Sequence, residues 1–489
     1  MQIEIVNPGS FHREEHFYPR VLNARMHPLV SHFLRMPPER MIARFCHLHP
    51  GVDQKVLEEC LNYQPRYFRW SGADLFHVAN VDGLRTMILV ETNSCPSGQK
   101  STPLLAEDQE EGGYGLLIER TLLPIFRRSS KGGVAAILHD KNKMEVSGYA
   151  AVLADRLEEP VFVASFFDDA ENEHIRYHDD YLQLRQGPDG EWLNVRAAFR
   201  YVTQRPWTRI PHGLKTQIVN PIVACLAGGR NKSTASLAYE LMNAELMGSG
   251  LMIRTPETFR NVTKAEVPLL IRQMGGFGVV KVPYGNAGQG VYTITTQAEL
   301  DRFLSTDFEY DKFLVQALLG NFEWSSKGRS GHFFHVGTIP NKKNEIYVAD
   351  LRMMISNSAE GFRPLAVYGR RSRKPLTDRL DPQANSWDML GTNLSVKEGR
   401  NQWGSDTHRL LMMDDRDFNI MGLGVDALLE SFIQTVLATI AIDKMANNLV
   451  TAKGKFRMKL FRELCDDREL IKEVEQAYVY EGGGKETQS

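Results

Sequence analysis

"ILVETNSCPSG" (residues 88–98) begins as an apolar strand and ends with Glu91 and Asn93 two positions apart, just before a Pro-Ser-Gly turn. Side chains at i and i+2 of a strand share a face, so these two oxygen-bearing groups sit side by side. Upstream, Asp82-Gly83 signals a two-residue hairpin turn, and the pairing it sets puts Asp74 opposite Glu91, Phe76 opposite Leu89 and Val78 opposite Met87. Two facing carboxylates, with Cβ atoms about 5 Å apart, repel unless they share a proton or a cation. Asp, Glu and an amide oxygen are ligands that Mg²⁺ accepts beside substrate phosphates. The alternative at this point is a shifted register, with both acids solvated at a sheet edge.

The 489 residues, 42% hydrophobic, suffice for roughly three domain-sized units. Lys and Arg number 58 against 60 Asp and Glu, a formal net charge of -2. No global field recruits nucleic acid or an anionic membrane, and any phosphate must be held locally. The scattered cysteines (46, 60, 95, 225 and 465) do not form a disulfide framework and suit a reducing, cytoplasmic setting. The N-terminus lacks the apolar core of a signal peptide. The most apolar stretch, "VDALLESFIQTVLATIAIDKMA" (425–446), is interrupted by Asp426, Glu430, Gln434 and Asp443, and reads as a buried helix.

Residues 1–130 mix short helical patterns with the 72–93 hairpin, and 131–225 alternate strand, helix and strand, the grammar of an α/β unit. Residues 226–400 open on a helix and become strand-rich, and 401–489 read as helical, with a low-complexity tail expected to be disordered.

Within the strand-rich part, "VVKVPYGNAGQGVYTIT" (279–295) buries Lys281 among valines and follows it with Gly285, Gly288 and Gly290. Glycines let backbone N–H groups approach an anion, and a lysine on the entering strand reaches the same phosphates. A lysine before the glycines, between two strands, fits neither a P-loop, nor a dinucleotide fingerprint, nor a kinase loop. A flexible hairpin tip with a snorkelling lysine is the plainer alternative. "KFLVQALLGN" (312–321) is an apolar strand stopping at glycine, a suitable wall for a purine. "YVADLRMMI" (347–355) carries Asp350 and Arg352 on one face, where an arginine could meet a phosphoryl oxygen, or could form a surface ion pair instead.

In this order the motifs resemble the ATP-grasp superfamily, specifically its circularly permuted branch of carboxylate-amine ligase-like proteins. In that branch the acidic strand precedes the lysine strands. "ADLFHVA" and "ILVETNSCPSG" resemble the metal segment, and "RYVTQRPW" and "IVNPIVACLAGGRNKSTA" resemble the substrate-side segment and first lysine region. The resemblance, over roughly residues 66–373, implies an α+β fold with the nucleotide held between two α+β subdomains, an α/β substrate-side domain and a helical C-terminal extension. It implies that Lys232 and Lys281 hold the phosphates of ATP under a lid of Gly285, Asn286, Gly288 and Gly290. Gln316 and the backbone of Ala317, Leu318 and Leu319 would line the adenine pocket, with the usual ribose-binding acid absent or replaced by Gln316. Arg352 and Lys281 would be catalytic, and Asp74, Glu91 and Asn93 would bind Mg²⁺. Arg200, Arg205, Arg209 and Arg371 would recognise substrate.

The implied reaction phosphorylates a carboxylate and joins it to an amine, with small-molecule or peptide substrates, no nucleic acid or membrane partner, and room for a homo-oligomer. A non-catalytic ATP-binding scaffold and a phosphotransferase remain the alternatives. Cys46, His47 and His49 lack a second ligand pair at zinc spacing and read as structural, and Cys95 reads as a small filler at a tight turn.

Overall fold

The computed structural model describes residues 3–105, 110–129, 132–166, 174–187, 189–202, 210–285, 288, 290–329, 331–380, 385–397 and 403–478. Asn286, Arg205, Arg209 and the C-terminal tail lie outside them.

The α/β layer is built on β1 (Ile3–Val6), β4 (Val134–His139), β5 (Val161–Ser165), β6 (Ile175–His178), β7 (Tyr181–Leu184), β8 (Leu193–Tyr201) and β9 (Gln217–Val219). The order is β1-β5-β4-β8-β7-β6, with β9 also beside β8. β5, β4, β8 and β9 run parallel, as their continuous apolar character requires of strands buried on both faces. The helix Lys143–Leu157 crosses from β4 to β5. β5 and β8 flank β4 on opposite sides, which creates a topological switch point between β4 and β8. The first residues of the chain complete this sheet through β1, a long-range pairing outside the expected 131–225 segment.

A second sheet, ordered β10-β13-β11-β12, comprises β10 (Thr258–Val262), β11 (Gly278–Lys281), β12 (Val291–Ile294) and β13 (Phe313–Gln316). The third contains β2 (Trp70–Asn80), β3 (Arg85–Asn93), β14 (Lys327–Gly328), β15 (Gly331–His335), β16 (Ala349–Ser358), β17 (Gly361–Arg371) and β20 (Leu410–Leu411). Its order is β14-β15-β2-β16-β17-β20, and β3 pairs with β2. A short hairpin, β18 (Ser395–Lys397) and β19 (Trp403–Ser405), stands apart.

The β2–β3 hairpin departs from expectation twice. Asn80 N–H donates to the Leu84 carbonyl at 3.0 Å, so the loop has three residues, Val81 to Gly83, with Gly83 at φ 80°. Leu75 therefore faces Leu89, Phe76 faces Ile88 and Val78 faces Thr86, one residue away from the predicted pairs. A bulge at Val90 then restores the register, and Asp74 does face Glu91.

The C-terminal region is largely helical, and its longest helix is a central element of the protein. The helix Val425–Asn448 packs on β3, β16 and the helix Lys232–Glu245. It is the one helix among the described residues long and apolar enough to span a membrane by composition, yet most of its residues are buried inside the protein. Its polar residues have internal partners: Asp443 accepts from the Tyr67 and Phe68 N–H groups (2.7 and 2.9 Å), and Gln434 accepts from Arg254 N–H (2.7 Å). The Asp443 bonds fix the chain entering β2, which is why an internal helix tolerates an acid.

Candidate active site

One row of side chains crosses four strands of the third sheet. Register sets Asp74 between Glu91 on β3 and Arg352 on β16, and Arg352 opposite Tyr368 on β17. Arg352 grips Asp74 bidentately, Nε to Oδ1 at 2.6 Å and Nη2 to Oδ2 at 2.8 Å, and its Nη1 lies 3.3 Å from the Tyr368 hydroxyl. Arg370, next but one along β17, lies 3.0 Å from Asp74 and also pairs with Asp350, which accepts from Thr392 Oγ1 at 2.9 Å. Burial works to raise the Asp74 pKa, but the two guanidinium charges overcome it and hold the carboxyl well below its ordinary range. The like-charge pair expected to need a shared cation is thus already neutralised on the Asp74 side.

Glu91 has a different setting. Lys232, the first residue of a helix capped by the Asn231 side chain, places Nζ 3.3 Å from Glu91 and 3.1 Å from the Gly285 carbonyl. Lys281, buried on β11, donates to the Val90 carbonyl at 3.3 Å, an oxygen that the bulge presents to it. Burial lowers the Lys281 pKa to about 8, against the raising effect of Glu91. Burial raises that of Glu91, but the lysines bring it below the usual value.

Asp74, Glu91, Asn93, Lys281, Gln316 and Arg352 line one cleft. Lys232 lines a smaller cavity behind Glu91 and Lys281. Ala317, Leu318, Leu319 and Gly288 also face the cleft, but the Ala317 and Leu318 N–H groups are committed to the Glu257 carbonyl (2.9 Å) and Ser326 Oγ (2.7 Å). The Gln316 amide donates to Thr258 Oγ1 at 2.9 Å. Gly290 closes the β11–β12 connection, its carbonyl accepting from Val282 N–H at 2.8 Å.

The Pro-Ser-Gly turn is seated by close approach. A Cβ on Gly98 would stand 2.7 Å from the Tyr368 ring, and one on Gly72 would meet Pro96 at 2.7 Å. Glu145, fully buried on the helix Lys143–Leu157, accepts from Ser97 Oγ (2.7 Å), Gly98 N–H (3.0 Å) and Gln99 N–H (3.3 Å), anchoring the turn from the α/β layer.

Among the residues expected to touch substrate, Arg200 is fully buried with Nη1 3.1 Å from Cys225 Sγ and is not part of the lining of the cleft. Arg371 stacks over Tyr347 at 4.7 Å on the opposite face of β17, and Arg370 is the arginine that reaches the cleft, as strand alternation requires. Sequence reasoning took Arg371 from a basic run that also holds Arg370, and missed Asp350 as the partner of Arg370, Glu145 and Arg230. Among the described residues no group of three or more His, Cys, Asp or Glu side chains is placed to hold a metal, and Cys46, His47 and His49 form no such group.

No protein-family model matches the chain, and no curated protein matches it. Among solved structures it is similar to a glutathione synthetase-like effector from Globodera pallida in its apo form, at 10% identity over 71% of this chain and 86% of that one, TM-score 0.39. It is similar to a RimK-domain ATP-grasp protein from Sphaerobacter thermophilus DSM 20745 at 14% identity over 48% and 89%, TM-score 0.29. It is also similar to D-alanyl-alanine synthetase A from Vibrio cholerae O1 at 12% identity over 54% and 95%, TM-score 0.31.

Proposed function

We propose that the protein is an ATP-dependent ligase that activates a carboxylate as an acylphosphate and joins it to an amine, on an ATP-grasp fold whose acidic hairpin precedes its lysine strands. The observation that carries this reading is the convergence in one cleft of Glu91, Asn93, Lys281 and Arg352 from segments far apart in the chain. A binding module has no need of two ammonium groups on one carboxylate beside a guanidinium on its neighbour.

The donor set fits Mg²⁺ in a limited way. Glu91 pairs with Lys232 at 3.3 Å, and Asn93 lines the same cleft, so one carboxylate and, through its oxygen, one carboxamide could reach the ion. Asp74, gripped by Arg352 and Arg370, does not fit a ligand role in this arrangement. When bound, Mg²⁺ supplies charge neutralisation for the phosphate oxygens.

The chain's own groups do the rest. Lys232 and Lys281 bind phosphate oxygens and relieve charge as a substrate carboxylate oxygen attacks the γ-phosphorus and the bond to the β-bridging oxygen breaks. Arg352, oriented by Asp74, presents its outer N–H edge to the transferring group. The amine then attacks the acyl carbon, loses a proton and expels phosphate. Small acids and amines, or peptides, are the partners of this reading.

The test is positional isotope exchange in ATP labelled at the β,γ-bridge oxygen. Exchange that appears only with an added acid supports the ligase. ATP binding without exchange, with any of a broad panel of acids, sinks it.

A further inference from the structure

The second and third sheets both face the cleft, and one short stretch of chain, residues 386–393, is bound to each of them and lines the cleft with Trp387, Leu390, Thr392 and Asn393. Its first end is fixed to the second sheet. Glu299, buried on the helix Gln297–Ser305, accepts from Thr295 N–H and Oγ1 (both 2.8 Å) and from Ser386 N–H and Oγ (2.9 and 2.6 Å). The Ser386 hydroxyl has one proton and gives it to Glu299, so its 2.6 Å contact with Thr293 Oγ1 on β12 is a donation from Thr293. The second end is fixed to the third sheet. Thr392 Oγ1 donates to Asp350, the carboxylate that Arg370 grips, and the buried Arg409 beside β20 donates to the carbonyls of Gly391 (3.4 Å), Arg371 (3.0 Å) and Asn393. Between the ends, Met389 and Leu390 pack with Leu318 and Val348.

The side chain held in the cleft by these anchors is Trp387, and two glycines admit its ring. A Cβ on Gly391 would stand 2.6 Å from the indole, and one on Gly288, whose φ is 77°, would stand 3.0 Å from it. Gly288 belongs to the connection between β11 and β12 and lines the same cleft as Lys281 and Arg352. The indole is therefore a rigid, two-ended support for the backbone at Gly288, bound through Ser386 to the sheet that carries Lys281 and through Thr392 to the arginine half. Such a support matters to the chemistry, because water that reaches an acylphosphate returns acid and phosphate and leaves the ATP spent without product.

We infer that residues 386–393 are a clasp across the cleft and that Trp387 is its positioning residue, seating Gly288 against the nucleotide phosphates and keeping water from the acylphosphate. This rests on the ligase reading and adds to it the element that couples ATP cleavage to product.

The parent is compared with Trp387→Phe and Trp387→Ala, thermal unfolding checking the fold of each. With Mg²⁺ and the non-hydrolysable analogue AMPPNP, the emission of Trp387, read as parent minus Trp387→Phe, should shift on binding. Trp387→Ala should bind AMPPNP about 10-fold more weakly, with Trp387→Phe close to the parent. Hydroxylamine then stands in for the amine at limiting concentration, with acetate, succinate, glutamate and benzoate as acids, and both hydroxamate and ADP are counted. The parent should give about one hydroxamate per ADP, Trp387→Ala less than about half of that while ADP release continues, and Trp387→Phe most of the parent ratio. A ratio unchanged in Trp387→Ala, with ADP and hydroxamate falling together, makes the indole a packing residue, and tighter AMPPNP binding by Trp387→Ala makes it a plug. Either result overturns the clasp and leaves the ligase standing. Absence of ADP with every acid overturns the ligase, and the AMPPNP measurements alone then decide Trp387: unchanged affinity in Trp387→Ala overturns its role, and weakened affinity with a shifted emission upholds it.

Discussion

Asp74 and Glu91 face each other across one hairpin, yet they belong to differently built halves of the cleft. Around Asp74 stand two arginines, Arg352 bidentate to it and Arg370 touching it while gripping Asp350, with Thr392 and Tyr368 completing the set. Around Glu91 stand two lysines, each with one carbonyl partner. A guanidinium is a planar fork that stays charged and fixes geometry, whereas an ammonium is a point charge on a flexible stem. The arginine half is thus a template held by its own hydrogen bonds, and the lysine half is a reserve of charge that can turn to phosphate. The difference explains why Asp74 is less free than Glu91 to take up the proposed metal ion.

The largest effect should come from breaking the template. Arg370→Leu leaves Asp350 and part of Asp74 as buried, uncompensated carboxylates, and should cost about 3–5 kcal/mol of stability in urea unfolding. A loss below about 1 kcal/mol, the range of exposed pairs, would mean that water already enters this half. The lysine half should answer in the opposite way. Lys281→Met removes a desolvated amine, so unfolding should be unchanged or shifted slightly upward, while ATP turnover falls by about 100- to 1000-fold. Turnover within a few-fold of the parent would remove Lys281 from phosphate binding.

Glu145 links the halves to the α/β layer, and it tests whether the Pro-Ser-Gly turn is positioned or merely packed. Glu145→Gln keeps the shape but replaces charged acceptors of the Gly98 and Gln99 N–H groups, weakening the anchor by about 1–2 kcal/mol. The Mg²⁺ concentration giving half-maximal turnover should rise about 10-fold, with the KM for ATP little changed, because Asn93 ends the strand that runs into this turn. An unfolding shift with unaltered Mg²⁺ dependence would make Glu145 a packing residue alone.

The lysine half was legible in the sequence and the arginine half only partly. A lysine inside a valine run and a Glu-x-Asn strand end are local signals that survive without a register. Choosing Arg370 over Arg371 needs the pairing of β16 with β17, which no local pattern supplies. The Asp74–Glu91 pairing was reached although the loop is one residue longer than predicted, because the Val90 bulge offsets it. That bulge also frees the carbonyl that Lys281 uses, so the irregularity belongs to the site. Glu145 on an otherwise apolar helix face and the central place of Val425–Asn448 follow from tertiary contacts. A helix apolar all round states only that it is buried, not against what.

The smallest effect concerns acid, and it separates the template from the floor beneath it. Asp74 already has a pKa far below the carboxylate range, so mild acid should not reach the arginine half. His335 on β15 is different: buried beside Phe76, ring centroids 4.6 Å apart, it has a pKa lowered to about 3 by burial. Its unfolded counterpart takes up a proton near pH 6.5, so between about 6.5 and 3 the unfolded chain binds more protons and stability falls as pH falls. From pH 7 to pH 5 this group alone should cost about 1–2 kcal/mol. His77, lowered to about 4, adds in the same direction. His335→Phe should therefore lessen the drop in unfolding free energy between pH 7 and pH 5 by that amount, read from urea curves at each pH. If the drop is the same in parent and variant, the acid sensitivity lies in the ion pairs, and the arginine half is less firmly held than its geometry implies.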